Sequence, residues 1–125
     1  MHPFPHKYEM TYTDTGSQEG LMSCGELPDV KVSAPKEFDG PNTGWSPENL
    51  FLSSIGACIA LTFGAIAKMM NVEYSNLTLT MSGSVDKFEG NRMKFTSITI
   101  KPSLTLANPA DESKLGKILE NTEKH

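Results

Sequence analysis

The feature that most constrains this chain is the apolar run at residues 46–70, which we interpret as one long helix. Ser46 can cap its first turn through the hydroxyl, Pro47 fits the first helical position, and acidic Glu48 interacts favourably with the positive end of the helix dipole. At the other end, Asn71 tolerates the left-handed conformation that terminates many helices. The sequence therefore predicts a single uninterrupted helix at the centre of the fold.

This helix has no charged side chain between Glu48 and Lys68, and its large apolar residues are distributed around the whole circumference. A helix that is apolar on every side is buried on every side. The uncharged interval, about 28 Å long at 1.5 Å per residue, could also span a membrane. Polar residues interrupt it, however, and the flanking segments alternate like strands of a water-soluble sheet. We therefore expect burial against the chain's own sheet and against a second copy, and no membrane partner.

Two faces of the predicted helix differ in composition. One carries small residues at every fourth position, which form a smooth ridge where another backbone could approach: Gly56, Ala60 and Gly64. The other is a narrow, mildly polar line that places Cys58 between Ser54 and Thr62. Two interpretations of Cys58 follow from these patterns. It is either a small buried hydrophobic residue, as most free cysteines are, or a functional thiol.

Length and composition limit the fold and exclude several functional classes. A chain of 125 residues can form one core, so we predict a single domain over residues 1–125. The net charge is −4, without a basic cluster or aromatic platform, so nucleic acid is not an expected partner. Two cysteines and three histidines lack metal-ligand spacing, and neither a metal nor another cofactor is expected. The N-terminus lacks the apolar core of a signal peptide, so we expect a cytoplasmic protein with reduced thiols.

The segments before the helix have the alternation of strands. Three short strands in a meander are predicted at residues 7–13, 20–24 and 30–34, with a turn at 14–17. Residues 35–45 are rich in proline, glycine, aspartate and asparagine, and predict a loop into the helix. Phe38 and Trp45 lie on this loop and are expected to cover the core or a site beside the helix.

After the helix, two strands are predicted around residues 77–82 and at 93–106, with a turn at 86–91. The apolar positions of the later strand change phase, which predicts a bulge near Ser97, and Pro102 predicts an edge or a break. A second helix follows, capped by Asn108, with one face formed by Leu115, Ile118, Leu119 and Thr122. Because this helix reaches the last residue without a cap, we expect that the protein's C-terminal end is missing here.

The order of these elements resembles that of the OsmC/Ohr family of osmotically inducible and organic hydroperoxide resistance proteins. The resemblance covers nearly the whole chain and is strongest in the segment WSPENL at 45–50 followed by SIGAC at 54–58. Its most specific part is the helix start S-P-E-x-L with a cysteine ten residues after the glutamate. It implies an α+β fold in which a curved antiparallel sheet wraps a long buried central helix, with a second helix at the C-terminal end. It also implies an intertwined homodimer with active sites at the interface.

The resemblance further implies a thiol-dependent peroxidase that acts on organic hydroperoxides. Cys58 matches the family's peroxidatic cysteine, whose thiolate attacks the hydroperoxide and becomes a sulfenic acid before outside thiols regenerate it. Glu48 matches a glutamate that pairs with an arginine holding the thiolate. The implied catalytic residues are therefore Cys58 and Glu48. The implied partners are a second copy, a hydroperoxide substrate and an external thiol reductant, without a cofactor.

The chain departs from the family pattern in its cations and cysteines. The family's arginine lies in the N-terminal meander, but no arginine here precedes Arg92, which we interpret as a solvated charge beside a turn. Three lysines could substitute for it without reproducing its bidentate fork: Lys7, Lys31 and Lys36. The family's resolving cysteine follows the second helix, at about the position of His125. Within this chain, Cys24 is the other candidate.

Helix geometry separates the two implied catalytic residues. Ten residues of helix place Glu48 about 15 Å from Cys58 along the axis. Any contact between them must therefore cross a dimer interface or use an intermediary. The alternative for Glu48 is a favourable acid in a first helical turn. The alternative function is a non-catalytic protein of the same fold that binds a small apolar ligand or serves a structural role, with Cys58 as a packed core thiol.

Overall fold

The computed structural model describes residues 1–123, which form strands and helices of the predicted α+β class. In chain order the elements are β1 (Thr11–Gly16), β2 (Glu19–Ser23), β3 (Val30–Ser33), α1 (Pro47–Met69), β4 (Tyr74–Phe88), β5 (Arg92–Leu106) and α2 (Glu112–Glu123). The strands form a three-stranded sheet, β1-β2-β3, and a two-stranded sheet, β4-β5. The chain divides into two compact units, Met1–Leu50 and the residues from Phe51 onward. The single domain that the length suggests stays a prediction.

The first unit is an antiparallel meander, as the sequence predicts, but its first strand is displaced. β1 covers Thr11–Gly16 instead of residues 7–13, and the turn follows at Ser17 and Gln18. Pairing begins where Thr11 faces Ser23, so residues 8–10 alternate without a partner strand. A register irregularity beside Gly16 and a left-handed Gln18, with φ of 58°, carry the chain through the later turn.

The loop at residues 35–45 is confirmed and returns along β3. The backbone N–H of Trp45 donates to the Lys31 carbonyl at 2.9 Å, and its own carbonyl accepts from Ser33 N–H at 3.0 Å. The buried Ser33 hydroxyl also accepts from two loop amides, of Thr43 and Gly44, at 3.0 Å each. These bonds fix the start of α1. Within the chain described, the Phe38 and Trp45 side chains are exposed, so they do not cover the core, and the alternative, that they cover a site beside the helix, stays a prediction.

Helix α1 begins and ends where the sequence predicts. The Ser46 hydroxyl accepts from Asn49 N–H at 3.1 Å, and the Asn49 side chain accepts from Ser46 N–H at 2.9 Å, which is a reciprocal cap. At the other end Asn71 adopts φ of 57°, and Val72 N–H donates to the Ala67 carbonyl at 2.9 Å. Local chemistry at both ends therefore sets the length of the helix.

One face of α1 is buried in the single chain and the opposite face is not. Phe63 and Ala67 belong to a core with Val72 and Ile118, packed against β4, β5 and α2. On the other side Leu61 is 76% exposed. Burial against the chain's own sheet is thus confirmed, and burial by a second copy stays a prediction. By length and composition α1 could also cross a membrane, which is a weak indication because core helices of soluble proteins have the same features.

The ridge of small residues on α1 faces side chains of β4. A Cβ atom on Gly56 would lie 2.5 Å from Sδ of Met81, and one on Gly64 would lie 2.9 Å from the Tyr74 hydroxyl. Met81 and Tyr74 fill the space that the glycines leave, so the prediction that another backbone approaches here is wrong.

The hairpin of β4 and β5 is longer than predicted, with 15 residues in each strand. Ser84 pairs with Ser97 and Val85 with Phe95, so Thr96 is an extra residue on β5, and the predicted bulge is confirmed. A second irregularity lies between Ser75 and Thr78 and was not predicted. Among the described residues β5 pairs only with β4, so it is an edge strand. An edge strand tolerates a proline such as Pro102, because one side of its backbone has no hydrogen-bond partner.

The second helix has the predicted cap and the predicted face. The Asn108 side chain accepts from Ala110 N–H at 3.0 Å before a short 3-10 turn leads into α2. On α2, Ile118 is fully buried, and the buried Thr122 hydroxyl donates to the Ile118 carbonyl at 2.7 Å. The prediction that this helix reaches the end of the chain concerns residues 124–125, outside the described residues.

Candidate functional site

A cavity of about 1050 Å³ lies between α1, the β4–β5 sheet and α2 in the second unit. Its walls are mostly apolar and come from every element of that unit: Cys58, Ile59, Ala60, Thr62, Phe63, Leu77, Leu79, Ile100, Pro102, Ser103, Leu104, Leu106, Pro109, Glu112, Leu115, Leu119 and Thr122. Small-molecule sites are concave, mainly apolar and of about this size, with a few polar groups for orientation. The cavity can therefore hold an organic ligand.

The apolar walls follow from the periodicity of each element. β4 presents the alternating Leu77 and Leu79, and β5 presents the alternating Leu104 and Leu106. These faces meet the side of α2 that the sequence predicts to be apolar. Since all three apolar faces are directed at the same space and do not fill it, the cavity is a product of packing, and periodicity alone does not predict it.

Cys58 is exposed in the single chain and also lines the cavity. Its position on α1 is roughly opposite the buried Phe63 and Ala67. The interpretation of Cys58 as a core residue is therefore wrong for the single chain. An accessible thiol beside an organic-sized cavity has what a cysteine nucleophile needs for access to a substrate.

The polar line predicted around Cys58 is only partly present at the cavity. Thr62 lines it, but Ser54 does not, and the Ser54 hydroxyl donates to the Phe51 carbonyl of its own helix at 2.7 Å. Ser103 and Glu112 add polar groups that the sequence did not assign to the site.

Positive charge is missing from the part of the cavity wall that residues 51–123 provide. The lining residues include Glu112 but no lysine, arginine or histidine. Arg92 is at the hairpin turn, 3.5 Å from the Glu89 carboxylate and 5.5 Å from the Phe88 ring centre, which confirms it as a surface charge. The three candidate lysines lie in the first unit and are exposed there, and their role stays a prediction.

Glu48 is in the first turn of α1, in the first unit, and does not line the cavity. Its Oε1 atom is buried and has no hydrogen-bond partner among the described residues. A buried acceptor without a donor is costly and rare, so the helix dipole explains the position of Glu48 but not its burial. Ten residues of α1 separate Glu48 from Cys58 in the sequence, and a contact between them across a dimer interface stays a prediction.

Cys24, the other candidate thiol, follows β2 in the first unit and is half-buried and free. Its carbonyl accepts from Leu27 N–H at 3.0 Å in the turn before β3. Residues 1–123 contain no group of three histidine, cysteine, aspartate or glutamate side chains placed to hold a metal ion.

Sequence reasoning missed Glu112 as a site residue, because an acid in the first turn of a helix is explained by the dipole alone. The one available signal was its position three residues before Leu115, which places it near the apolar face of α2. That signal gains meaning only after α2 is placed against the cavity.

Comparison with known proteins agrees with the expected fold. A sequence model of the OsmC-like protein family matches residues 40–125. The uncharacterized protein YmaD of Bacillus subtilis (strain 168) is 28% identical over 93 residues, which are 74% of this chain but only 61% of that protein. An OsmC-like protein of unknown function from Vibrio cholerae has a similar structure, with a TM-score of 0.86 at 14% identity over 96% of this chain and 89% of that one.

A second similar structure is an organic hydroperoxide resistance protein from Elizabethkingia anophelis. The TM-score is 0.67 at 16% identity, over 97% of this chain and 90% of that one. Identities this low establish a common fold and nothing more. The predicted fold class is confirmed.

Proposed function

The chain belongs to the OsmC-like protein family, and on this premise we propose that it is a thiol-dependent peroxidase that reduces organic hydroperoxides with Cys58 as nucleophile. The observation that carries the proposal is the exposed Cys58 thiol on the wall of an apolar cavity of about 1050 Å³. A redox or peroxide-resistance role also agrees with the name of the similar Elizabethkingia anophelis protein.

The proposed reaction is a two-electron reduction of the substrate. The Cys58 thiolate attacks the terminal oxygen of the hydroperoxide, so an S–O bond forms as the O–O bond breaks. The organic alkoxide leaves and takes up a proton to become an alcohol, while the sulfur becomes a sulfenic acid. The apolar wall holds the organic group, which supports organic hydroperoxides over hydrogen peroxide as substrates.

An external thiol completes the cycle. It attacks the sulfenic acid, releases water and forms a mixed disulfide, and a second thiol then restores Cys58 and leaves as part of a disulfide. A cytoplasmic location, where thiols are kept reduced, suits this proposed cycle.

We assign Glu48 a positioning role in this scheme, as the acceptor for a cation that holds the thiolate. The buried, unpartnered Oε1 of Glu48 supports this role, because such an atom needs a donor. Glu48 and Cys58 of one chain are ten helical residues apart. In the proposed homodimer, the cation bound to Glu48 of one copy would therefore hold the Cys58 thiolate of the other copy. The exposed apolar side of α1 supports the dimer.

The test is hydroperoxide consumption by the purified protein with cumene hydroperoxide and dithiothreitol. We expect Cys58→Ser to lower the rate by about 100-fold or more, because no other group in the site replaces the nucleophile. Cys24→Ser is the matched control and should stay within about twofold of wild type, since Cys24 lies outside the cavity. If Cys58→Ser consumes peroxide as fast as wild type, the proposed mechanism is wrong.

A second candidate function is the non-catalytic binding of a small apolar ligand. The specific observation in its favour is the lack of a basic residue among the described cavity-lining residues. Alkylation of the native protein at pH 7 separates the two functions. A catalytic Cys58 should react quickly, whereas a Cys58 packed in the interface of the proposed homodimer should react only after unfolding. A ligand-binding protein should also keep its affinity for an apolar dye in Cys58→Ser.

A further inference from the structure

Beside the proposed nucleophile, we infer that the Thr62 hydroxyl is the hydrogen-bond donor to the oxygen that leaves the hydroperoxide. This inference rests on the proposed peroxidase function and adds to it a residue that touches the substrate. Thr62 lies four residues after Cys58 on α1, and both residues line the same cavity. The observation that carries the inference is this pairing of a thiol with a free hydroxyl on one wall.

Helix geometry places Thr62 directly beside Cys58. Residues four positions apart on a helix have Cβ atoms about 5–6 Å apart on the same face. Helical side chains also lean toward the N-terminus, so the side chain of Thr62 leans toward Cys58. A hydroperoxide whose terminal oxygen meets the Cys58 sulfur can therefore place its second oxygen within hydrogen-bonding reach of Thr62.

The Thr62 hydroxyl is free to make this bond. Helical threonines commonly donate to the carbonyl three or four residues before them, which for Thr62 would be that of Ile59 or Cys58. Thr122 makes such a bond, to the Ile118 carbonyl at 2.7 Å. Among residues 1–123 the Thr62 hydroxyl has no hydrogen-bond partner, so its proton is available to a ligand in the cavity.

The proposed reaction needs a donor at the leaving oxygen. When the Cys58 thiolate attacks, the terminal oxygen keeps its hydrogen and becomes part of the sulfenic acid. The other oxygen receives the electron pair of the O–O bond and leaves as a strongly basic alkoxide, which then takes a proton from water. A hydroxyl that donates to this oxygen stabilises its charge as the charge develops. The cation proposed at the thiolate acts on the sulfur, so the two groups act on different atoms.

Two oxidants with similar aromatic groups isolate this role. Cumene hydroperoxide releases an alkoxide, whereas peroxybenzoic acid releases benzoate, a weak base that needs no proton at pH 7. We expect Thr62→Val to slow the oxidation of Cys58 by cumene hydroperoxide by about 10-fold to 100-fold. This is less than for a fully enclosed donor, because Thr62 is half-buried. Oxidation by peroxybenzoic acid should stay within about threefold, since benzoate leaves without help from a donor.

The measurement is a single turnover without added thiol, in which dimedone traps the sulfenic acid for mass spectrometry. All proteins carry Cys24→Ser, so that Cys58 is the thiol observed. Thr62→Ser keeps the hydroxyl and should stay within about threefold of the parent protein. Thr80→Val is the matched control at an exposed position of β4 outside the cavity wall, and should leave both rates within about twofold. The pH profile of Cys58 alkylation should be the same in Thr62→Val, because the hydroxyl acts on the substrate.

The outcomes separate this inference from the proposed function. If Thr62→Val slows both oxidants equally, or slows neither, the role of Thr62 is wrong and the peroxidase function is unaffected. The same holds if Thr62→Ser is as slow as Thr62→Val. If the parent protein reacts with neither oxidant faster than free cysteine does, the peroxidase function fails and the inference fails with it. Should Thr62→Val not fold, Thr62→Ala takes its place, because alanine suits a helix better than valine.

Discussion

The two faces of α1 have similar composition and opposite surroundings. The packed face, formed by Gly56, Phe63 and Ala67, is buried against the chain's own sheet and second helix. The exposed face includes Cys58, Leu61 and Met69 and has no cover in the single chain, where Leu61 is 76% and Met69 80% exposed. An apolar face this long usually marks an interaction surface.

The contrast shows that the hydrophobicity of a helix does not reveal what buries it. The packed face is explained entirely within one chain. The exposed face needs a partner surface, and Cys58 lies on it. A thiol on the packed face could serve only the core, whereas a thiol on the exposed face can meet both a substrate and a second copy. The following changes test this difference between the faces, starting with the largest expected effect.

Phe63→Ala should destabilise the protein by about 3–5 kcal/mol, because it removes a buried ring and leaves a cavity. Phe63 also packs edge-on against Tyr74 with ring centres 5.2 Å apart. The measurement is urea unfolding followed by far-ultraviolet circular dichroism. Leu61→Ala is the control on the exposed face and should cost less than about 0.5 kcal/mol at protein concentrations low enough to favour the monomer. Equal costs for the two variants would contradict the contrast.

Leu61→Glu should weaken the proposed homodimer about tenfold to hundredfold, because it places a charge in the centre of the apolar face that a second copy would cover. Sedimentation velocity over a range of concentrations measures the change. Ser113→Glu, on an exposed position of α2, adds the same charge elsewhere and should leave association unchanged. If the wild-type protein stays monomeric at high concentration, a second copy does not bury the exposed face of α1, and the homodimer proposal is wrong.

Ser46→Ala should cost about 1 kcal/mol of unfolding free energy, since the hydroxyl caps the first turn of α1 and its loss affects both faces equally. Thermal or urea unfolding measures it. The oligomeric state should not change. A larger loss of association than of stability would mean that the helix start itself belongs to the interface.

Ser54→Ala should change the stability by less than about 0.5 kcal/mol, because its exposed hydroxyl bonds only to the preceding turn of its own helix. The same unfolding measurement applies, and hydroperoxide consumption should stay within about twofold of wild type. A large loss of activity would mean that Ser54 belongs to the active site. It would also mean that a second copy completes a site that includes Ser54, Cys58 and Thr62.

Features set by local chemistry were predictable from the sequence. The ends of α1 follow from the Ser46 cap and the left-handed Asn71, and the cap of α2 follows from Asn108. The bulge on β5 followed from the change of phase in its apolar residues and lies at Thr96, next to the predicted Ser97. In each case neighbouring residues supply the physical cause.

Features set by distant parts of the chain were not predictable. The displaced β1 depends on which residues of β2 it pairs with, and alternation before Thr11 carries no such information. The partner of Gly56 is Met81, 25 positions later in the sequence. The cavity and the place of Glu112 in it depend on the spacing of three elements, which periodicity does not encode.

The extra residue at Thr96 has a consequence for how the cavity could change over evolution. Beyond it, the even-numbered side chains of β5, such as Ile100 and Leu104, face the cavity. Deleting Thr96 would remove the bulge, because Phe95, Ser97 and Ile98 would then alternate regularly while Ser84 kept Ser97 as its partner. The loss of a single codon at this position would therefore straighten the strand and leave the apolar lining of the cavity in place.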